Sequence, residues 1–401
     1  MRSTLLPLAA TLAIQALVAM ATITVPVLAP AASRELHLSA GLIGLYVSLI
    51  YLGSMIASAA SADLIRRIGA IRFSQYCLVM CAAGLALLTI GTMPALVASA
   101  FVLGLGYGPI TPASSHILAK TTPPQMMSFV FSVKQTGVPL GGALAGIVVP
   151  PLVLLGGWRL GALAVAGLCV LTAAVAQAIR AENDADRDPK RPISARGPLR
   201  ALALVASDAN VRRLALSSFF FSALQLCLTT YLVTYLTNKL GYTLVEAGLM
   251  LAVATTAGIV GRIAWGAVAD RSGRPAAVLG VVGLAMAAAA GTMAISSPEW
   301  PRAAMIALCA AFGGTAIGWN GVYLAEVARE APQGKTVEAT GGALFFTFFG
   351  VLITPPLFAA IVEGGGSYGA AFAVVAAPTL LCGLWLLARA APRTPRHATH
   401  A

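Results

Sequence analysis

Residues 180–197 read RAENDADRDPKRPISARG and open the one long polar stretch of the chain, Arg180–Arg213. The opening is charged, holds two prolines and has no apolar period. On both sides of it the sequence is apolar almost without pause. Six runs precede it: Leu5–Ala32, Leu42–Ala60, Phe73–Thr92, Ala95–Leu118, Met126–Leu155 and Leu160–Ile179. Six follow it: Leu214–Leu236, Ala247–Ala269, Ala276–Ile295, Ala303–Val327, Ala339–Val362 and Ala370–Ala388. A hydrocarbon core about 30 Å thick takes about 20 apolar residues of helix to cross. Each run therefore reads as one span, and the spans are numbered one to twelve in chain order. Barrel strands alternate over about ten residues, whereas these runs are continuously apolar.

The whole composition agrees. Of 401 residues, 58% are hydrophobic and 10% charged, and the mean hydropathy is +0.86. A soluble domain carries about a quarter charged residues, and a single soluble core stops growing near about 250–300 residues. A soluble enzyme, a disordered chain, a coiled coil and a disulfide scaffold are excluded. The predicted fold is an all-α polytopic membrane protein with a bundle at 1–179, a linker at 180–213, a second bundle at 214–390 and a tail at 391–401. Arg2 before the first run invites a reading as a secretory signal, but the run is about twice the length of a signal's apolar region, about 7–15 residues. It is expected to stay as the first span.

Charge placement tests the count. With the N-terminus inside, twenty of the 26 Lys and Arg residues fall on the cytoplasmic side, eight of them in 180–213. Arg34, Arg159, Lys239 and Arg302 fall opposite, and Lys134 and Arg262 remain inside spans. That bias is what the positive-inside rule requires, so both termini and the linker are expected in the cytoplasm, the membrane being the plasma or inner membrane. The net charge of +12 is then topology beside anionic lipid, not a nucleic-acid surface. Cys77, Cys81, Cys169, Cys227, Cys309 and Cys382 all lie in spans, with no CxxC or Cys/His spacing. They read as buried thiols, and neither metal nor cofactor is expected.

The halves look like repeats. Gly137 stands thirteen residues before Pro150, Pro151 and Leu152, as Gly342 stands before Pro355, Pro356 and Leu357. Asp63 with Arg66 and Arg67 follows span two, as Asp270 with Arg271 follows span eight. Gly266, Asp270, Arg271, Gly273 and Arg274 form a G-x-x-x-D-R-x-G-R loop. In this the chain resembles the major facilitator superfamily of secondary transporters over essentially its whole length. The first copy keeps Asp63, Arg66, Arg67 and Gly69 but has Ala59 in place of the first glycine. A carboxylate at such a turn can bind a guanidinium or a helix N-terminus, and a pair that breaks and reforms can latch one of two conformations. Asp63, Arg66, Arg67, Asp270, Arg271 and Arg274 are the candidate latch.

Lys134 and Arg262 are the informative intramembrane charges. A cation at mid-bilayer costs at least about 2.5–3.5 kcal/mol and marks a pathway by default. Each lies about 12 Å from the cytoplasmic end of its span at 1.5 Å per residue, too deep to snorkel. Glu338 is one candidate partner for Lys134; an anionic substrate held by both cations is the other. Arg would grip a carboxylate with its fork and Lys would act as a point charge. Gln15, Gln225, Trp319 and Asn320 fall on helices that line the cavity in the resembled fold. His116 reads as a proton relay or as a hydrogen-bonded helix-end residue. Span eight, with Gly261, Arg262, Trp265 and Gly266, is similar to monocarboxylate and oxalate/formate carriers, in which an Arg of this helix binds the substrate carboxylate. Their acid one turn earlier is Gly258 here. The rival is a drug or metabolite efflux proton antiporter, since Gly137, Pro139, Gly141 and Gly142 resemble that branch's signature, although FVLGLGYG at 101–108 lacks its intramembrane Arg. No enzyme motif appears, and two repeated halves disfavour a channel. The expectation is a monomeric carrier of a small organic anion, coupled to protons or to anion exchange.

Overall fold

The computed structural model describes residues 2–37, 41–194, 196–364 and 366–388, and every regular element among them is helical. Eleven stretches are long and apolar enough to cross a membrane. One of them, Pro124–Asn183, has 60 residues, about 90 Å of helix and so about three bilayer cores. It breaks at Gly156 and Gly157, where Gly157 takes φ +79°, a value side-chain-bearing residues avoid. The break separates spans five and six, which makes twelve crossings. This is a multi-pass membrane protein.

Several boundaries differ from those read in the sequence. The helix of span two runs Gly41–Ile68 and that of span eight Leu244–Ser272. Asp63, Arg66, Arg67, Asp270 and Arg271 therefore sit in the last helical turns and not in loops. The turns themselves are made by Gly69 and Gly273, at φ +97° and +62°. Within 180–213 the backbone is partly helical. It holds a helix at Gly197–Ser207, and the helix of span seven already begins at Ala209, capped by the Asp208 side chain on the N–H groups of Asn210 and Val211. The tail at 391–401, with Arg393 and Arg396, lies outside the described residues, as does Arg389.

Three spans are interrupted in the middle. Span four is Met93–Tyr107 and Ile110–Thr121, separated at Gly108 and Pro109. Span five is Met127–Gln135 and then a helix from Gly137, separated at Thr136. Span ten is Arg302–Ala316 and Asn320–Glu330, separated by a turn at 317–319. Gly108, Pro109, Thr136, Ile317 and Trp319 keep right-handed helical dihedrals, so the spans are interrupted in their hydrogen-bond ladders and not unwound.

Helix pairing repeats between the halves: one with five and seven with eleven, two with four and eight with ten, three with six and nine with twelve. Close approach of backbones sets the two–four and eight–ten pairs. A Cβ on Gly104 would lie 2.2 Å from the Ile50 carbonyl oxygen, and one on Gly313 2.0 Å from that of Ala254. Gly104→Ala is expected to cost about 1–3 kcal/mol by overpacking and to lower the melting midpoint of detergent-purified protein. Gly146→Ala, at a site with nothing within 4 Å of the new Cβ, leaves the midpoint unchanged.

Buried apolar side chains form two clusters, one mainly from spans one to six and one mainly from seven to twelve. Leu118, Met127, Val130 and Phe131 of the first half belong to the second cluster. The bundles thus interlock on the face that carries the linker. Contacts between them are made by span two with span eleven and by the linker-side segments Ile110–Thr121, Met127–Gln135 and Asn320–Glu330. Span five's segment fits in because Gly266 and Gly321 give it room: a Cβ on either would fall within 2.5 Å of the Ser132 hydroxyl oxygen. At mid-depth the rings of Tyr51 and Tyr107 close on Phe348 at 6.1 and 6.2 Å between centroids.

Candidate functional site

The helix interruptions meet just above that closed face, and both intramembrane cations are there. Lys134 is 1% exposed and Arg262 3%. The Lys134 ammonium donates to Gln15 Oε1 at 2.7 Å, to Gln135 Oε1 at 3.0 Å and to Thr111 Oγ1 at 3.5 Å. Lys134 also stands in the last turn of Met127–Gln135, the negative end of that short helix. The Arg262 guanidinium donates through Nε to the Ile317 carbonyl at 2.9 Å and through Nη1 to the Gln135 carbonyl. In an unbroken helix the Gln135 carbonyl would bond the N–H of residue 139, but Pro139 has none. The proline thus frees an acceptor for a cation of the opposite bundle.

All of these partners are neutral oxygens. Among the described residues no carboxylate pairs with Lys134 or Arg262. Glu338, the candidate partner for Lys134, instead pairs with Arg66 and lies 3.8 Å from Arg191. It sits in the first turn of the helix Thr336–Glu363, at the linker-side end, whereas Lys134 is two turns farther in. The acid of the similar carriers has no room here either. A Cβ on Gly258 would lie 2.5 Å from the Ile317 Cβ.

Gln15 joins Lys134, but Gln225, Trp319 and Asn320 form a separate cluster. Gln225 Oε1 accepts from Trp319 Nε1 at 3.0 Å and from Asn320 Nδ2 at 3.1 Å. Trp319 is 1% exposed and packed edge-on to Phe221, while Gln225 and Asn320 are half-buried. The turn at 317–319 connects this cluster to Arg262. Gln135, Thr111 and Tyr107 were not singled out in the sequence. A usable signal was present at Gln135, which follows an intramembrane lysine and precedes a proline by four.

Toward the linker the two acidic positions differ. Asp270 accepts from the backbone N–H groups of Ser128 at 3.0 Å and Phe129 at 2.7 Å, across the bundle interface. Arg329 holds it at 2.9 Å and also reaches Ser128 Oγ and the Pro124 carbonyl. Asp63 accepts from Arg191 Nε at 3.1 Å, from the Ser194 N–H at 3.3 Å and from Arg200, all in the linker. Arg66 crosses to Glu338 and the Gly334 carbonyl. Arg67, Arg271 and Arg274 make no side-chain bond of this kind among the described residues, and the last two are exposed. His116 binds Asp186 at 2.8 Å beside Lys120, a helix-end tie to the linker. Burial pushes the Asp186 carboxyl up, but bonds from Lys120 and His116 outweigh it and hold it below its ordinary value. The tie therefore adds stability above the ordinary carboxylate pKa and loses it as pH falls through the lowered one.

Known proteins share this architecture. The chain matches the model of the Major Facilitator Superfamily over residues 11–348, and it belongs to that family. It is 26% and 25% identical over 296 residues to two uncharacterized MFS-type transporters of Mycobacterium tuberculosis, from strains CDC 1551 and H37Rv. The match covers 74% of this chain and 63% of each relative, so the chain spans under two thirds of their length. Among solved structures it is similar to the fucose:proton symporter FucP of E. coli, with TM-score 0.78, 18% identity and coverage of 98% of this chain and 100% of that one. It is also similar to the human organic anion transporter MFSD10, with TM-score 0.76, 17% identity and coverage of 96% and 99%. At these identities the likeness concerns the fold alone.

Proposed function

We propose that the chain is a secondary transporter that works by alternating access and carries a small organic anion, such as a monocarboxylate. The observation that carries this reading is the pair of buried cations, Lys134 and Arg262, drawn around Gln135 from opposite bundles and paired with no acid. Each of the chain's fourteen acids lies at or near a span end or outside the spans. A bound carboxylate would supply the missing charge, taking the Arg262 fork in two bonds. The Gln225–Asn320 amides lie across the 317–319 turn, where they can meet the far end of the solute. The organic anion description of MFSD10 agrees with this reading, while FucP, by its description, carries a sugar.

The test is a thermal-shift and counterflow screen of the purified protein. Small carboxylates are expected to stabilise it and to drive uptake of labelled anion into liposomes. Stabilisation by neutral sugars or cations with none by carboxylates would sink the anion reading. A requirement for counter-anion on the far side separates exchange from proton coupling.

In this reading the linker faces the cytoplasm and the protein works as a monomer in the plasma or inner membrane. The Asp270–Arg329 and Arg66–Glu338 ties latch the cytoplasmic side shut, and Asp63 fastens the linker beside them through Arg191 and Arg200. A Ser194→Cys variant checks the orientation, because all six native cysteines are buried. An impermeant thiol reagent is expected to label it only after cells are opened; labelling of intact cells contradicts the topology.

A further inference from the structure

Where the linker leaves span six it passes the ends of spans two and three, and four guanidinium groups surround one cavity there. Arg67, Arg72, Arg180 and Arg187 line it together with Tyr76, around a volume of about 650 Å³. The acid beside them is already engaged. The Asp184 carboxylate accepts from the N–H groups of Ile71 at 2.8 Å and Arg72 at 3.0 Å, with Arg180 Nε at 3.6 Å. Gly69 presses on it so closely that a Cβ there would lie 2.2 Å from Asp184 Cγ, which fixes the carboxylate on the start of span three. Among the described residues no carboxylate lies within 4.0 Å of the Arg67, Arg72 or Arg187 side chains. Four cations facing one occupied acid leave a cavity strongly in need of negative charge.

Its depth narrows the ligand. Arg67, Arg72 and Arg180 stand at the linker-side ends of apolar spans, which is headgroup level in a bilayer. Tyr76 is 51% exposed one turn inside span three, where an amphipathic ring suits the membrane interface. Planar guanidinium groups match phosphate oxygens with paired bonds. We propose that this cavity binds the phosphate of an anionic phospholipid headgroup, a two-phosphate headgroup best of all. The bound headgroup would brace the linker, since Asp188 donates its N–H to the Arg66 carbonyl at 2.8 Å and Arg191 holds Asp63.

The test uses the full chain in mild detergent, with melting midpoint and lipid retention in native mass spectrometry as readouts. Cardiolipin, with two phosphates, is expected to raise the midpoint more than phosphatidylglycerol, and phosphatidylcholine not at all. The same concentration of inorganic phosphate is expected to do little; a shift equal to that of lipid would reassign the cavity to a soluble phosphate and overturn the lipid source. The triple variant Arg67→Gln, Arg72→Gln, Arg187→Gln loses the cardiolipin shift, and the matching Arg→Lys triple keeps part of it. Arg271→Gln with Arg274→Gln, which removes charge from the other bundle, retains it in full. An undiminished shift in the Gln triple overturns the proposal. If that triple fails to fold, Arg187→Gln alone serves, being an exposed linker position, and it is expected to lower cardiolipin retention; retention at the wild-type level overturns the proposal.

Discussion

Arg262→Ala is expected to weaken binding of an organic anion about ten- to a hundredfold, because one charge-assisted pair in a water-poor site is worth about 1.5–3 kcal/mol. Arg262→Lys should not restore affinity, since the ammonium lacks the planar fork and cannot take two parallel bonds. Lys134→Arg is expected to restore part of what Lys134→Ala loses. The point charge at 134 is held by side-chain oxygens of Gln15, Gln135 and Thr111, which can readjust to a new donor. Affinity is read by calorimetry or by competition for uptake of labelled carboxylate. Unchanged uptake in Arg262→Ala would leave the fold in place and remove the site.

Asp270→Asn is expected to act in the opposite way, sparing affinity and impairing turnover. The carboxylate binds the start of span five and Arg329 at once, and both are charge-assisted or dipole-assisted contacts. Loss of about 1.5–3 kcal/mol from the closed linker side shifts the conformational balance about tenfold or more. Anion affinity should stay within about a factor of a few, below one charge-assisted pair, while uptake per molecule falls. Asp63→Asn should show the same pattern through the linker, because its partners are Arg191, Ser194 and Arg200. Normal flux at normal expression would leave these acids a role in topology only.

The spans were legible because hydropathy reports the solvent a segment needs, whatever its neighbours. Lys134 and Arg262 were legible for the same reason, since a charge inside an apolar run is costly enough to demand a purpose. What the cations bond to was legible only in part. The Gln135 carbonyl is available because Pro139 lacks an N–H, which the sequence shows, but the Ile317 carbonyl is available because span ten turns there. Only the first follows from residue identity. The Asp270–Arg329 pair joins residues 59 apart in sequence, and their adjacency depends on how spans eight and ten pack. The helix Gly197–Ser207 was hidden by the charged run before it, and it is too short for a span. Trp319 beside Asn320 reads equally well as cavity wall or as core in the sequence; its ring lies edge-on to Phe221 while its Nε1–H reaches Gln225.

That no acid among the described residues pairs with Lys134 or Arg262 also bears on membrane voltage. Each elementary charge that crosses a field of 100 mV changes energy by about 2.3 kcal/mol. A site alternately connected to water on either side need not move far, because the potential drop shifts from one seal to the other. On the proposed anion reading, an empty site with both cations charged would feel a negative-inside potential as a pull toward the inward-open state. Filled by a dianion it feels nothing, and filled by a monoanion it feels half. The electrical signature of the carrier would then belong to its empty return stroke, and transient currents in the absence of substrate would report it.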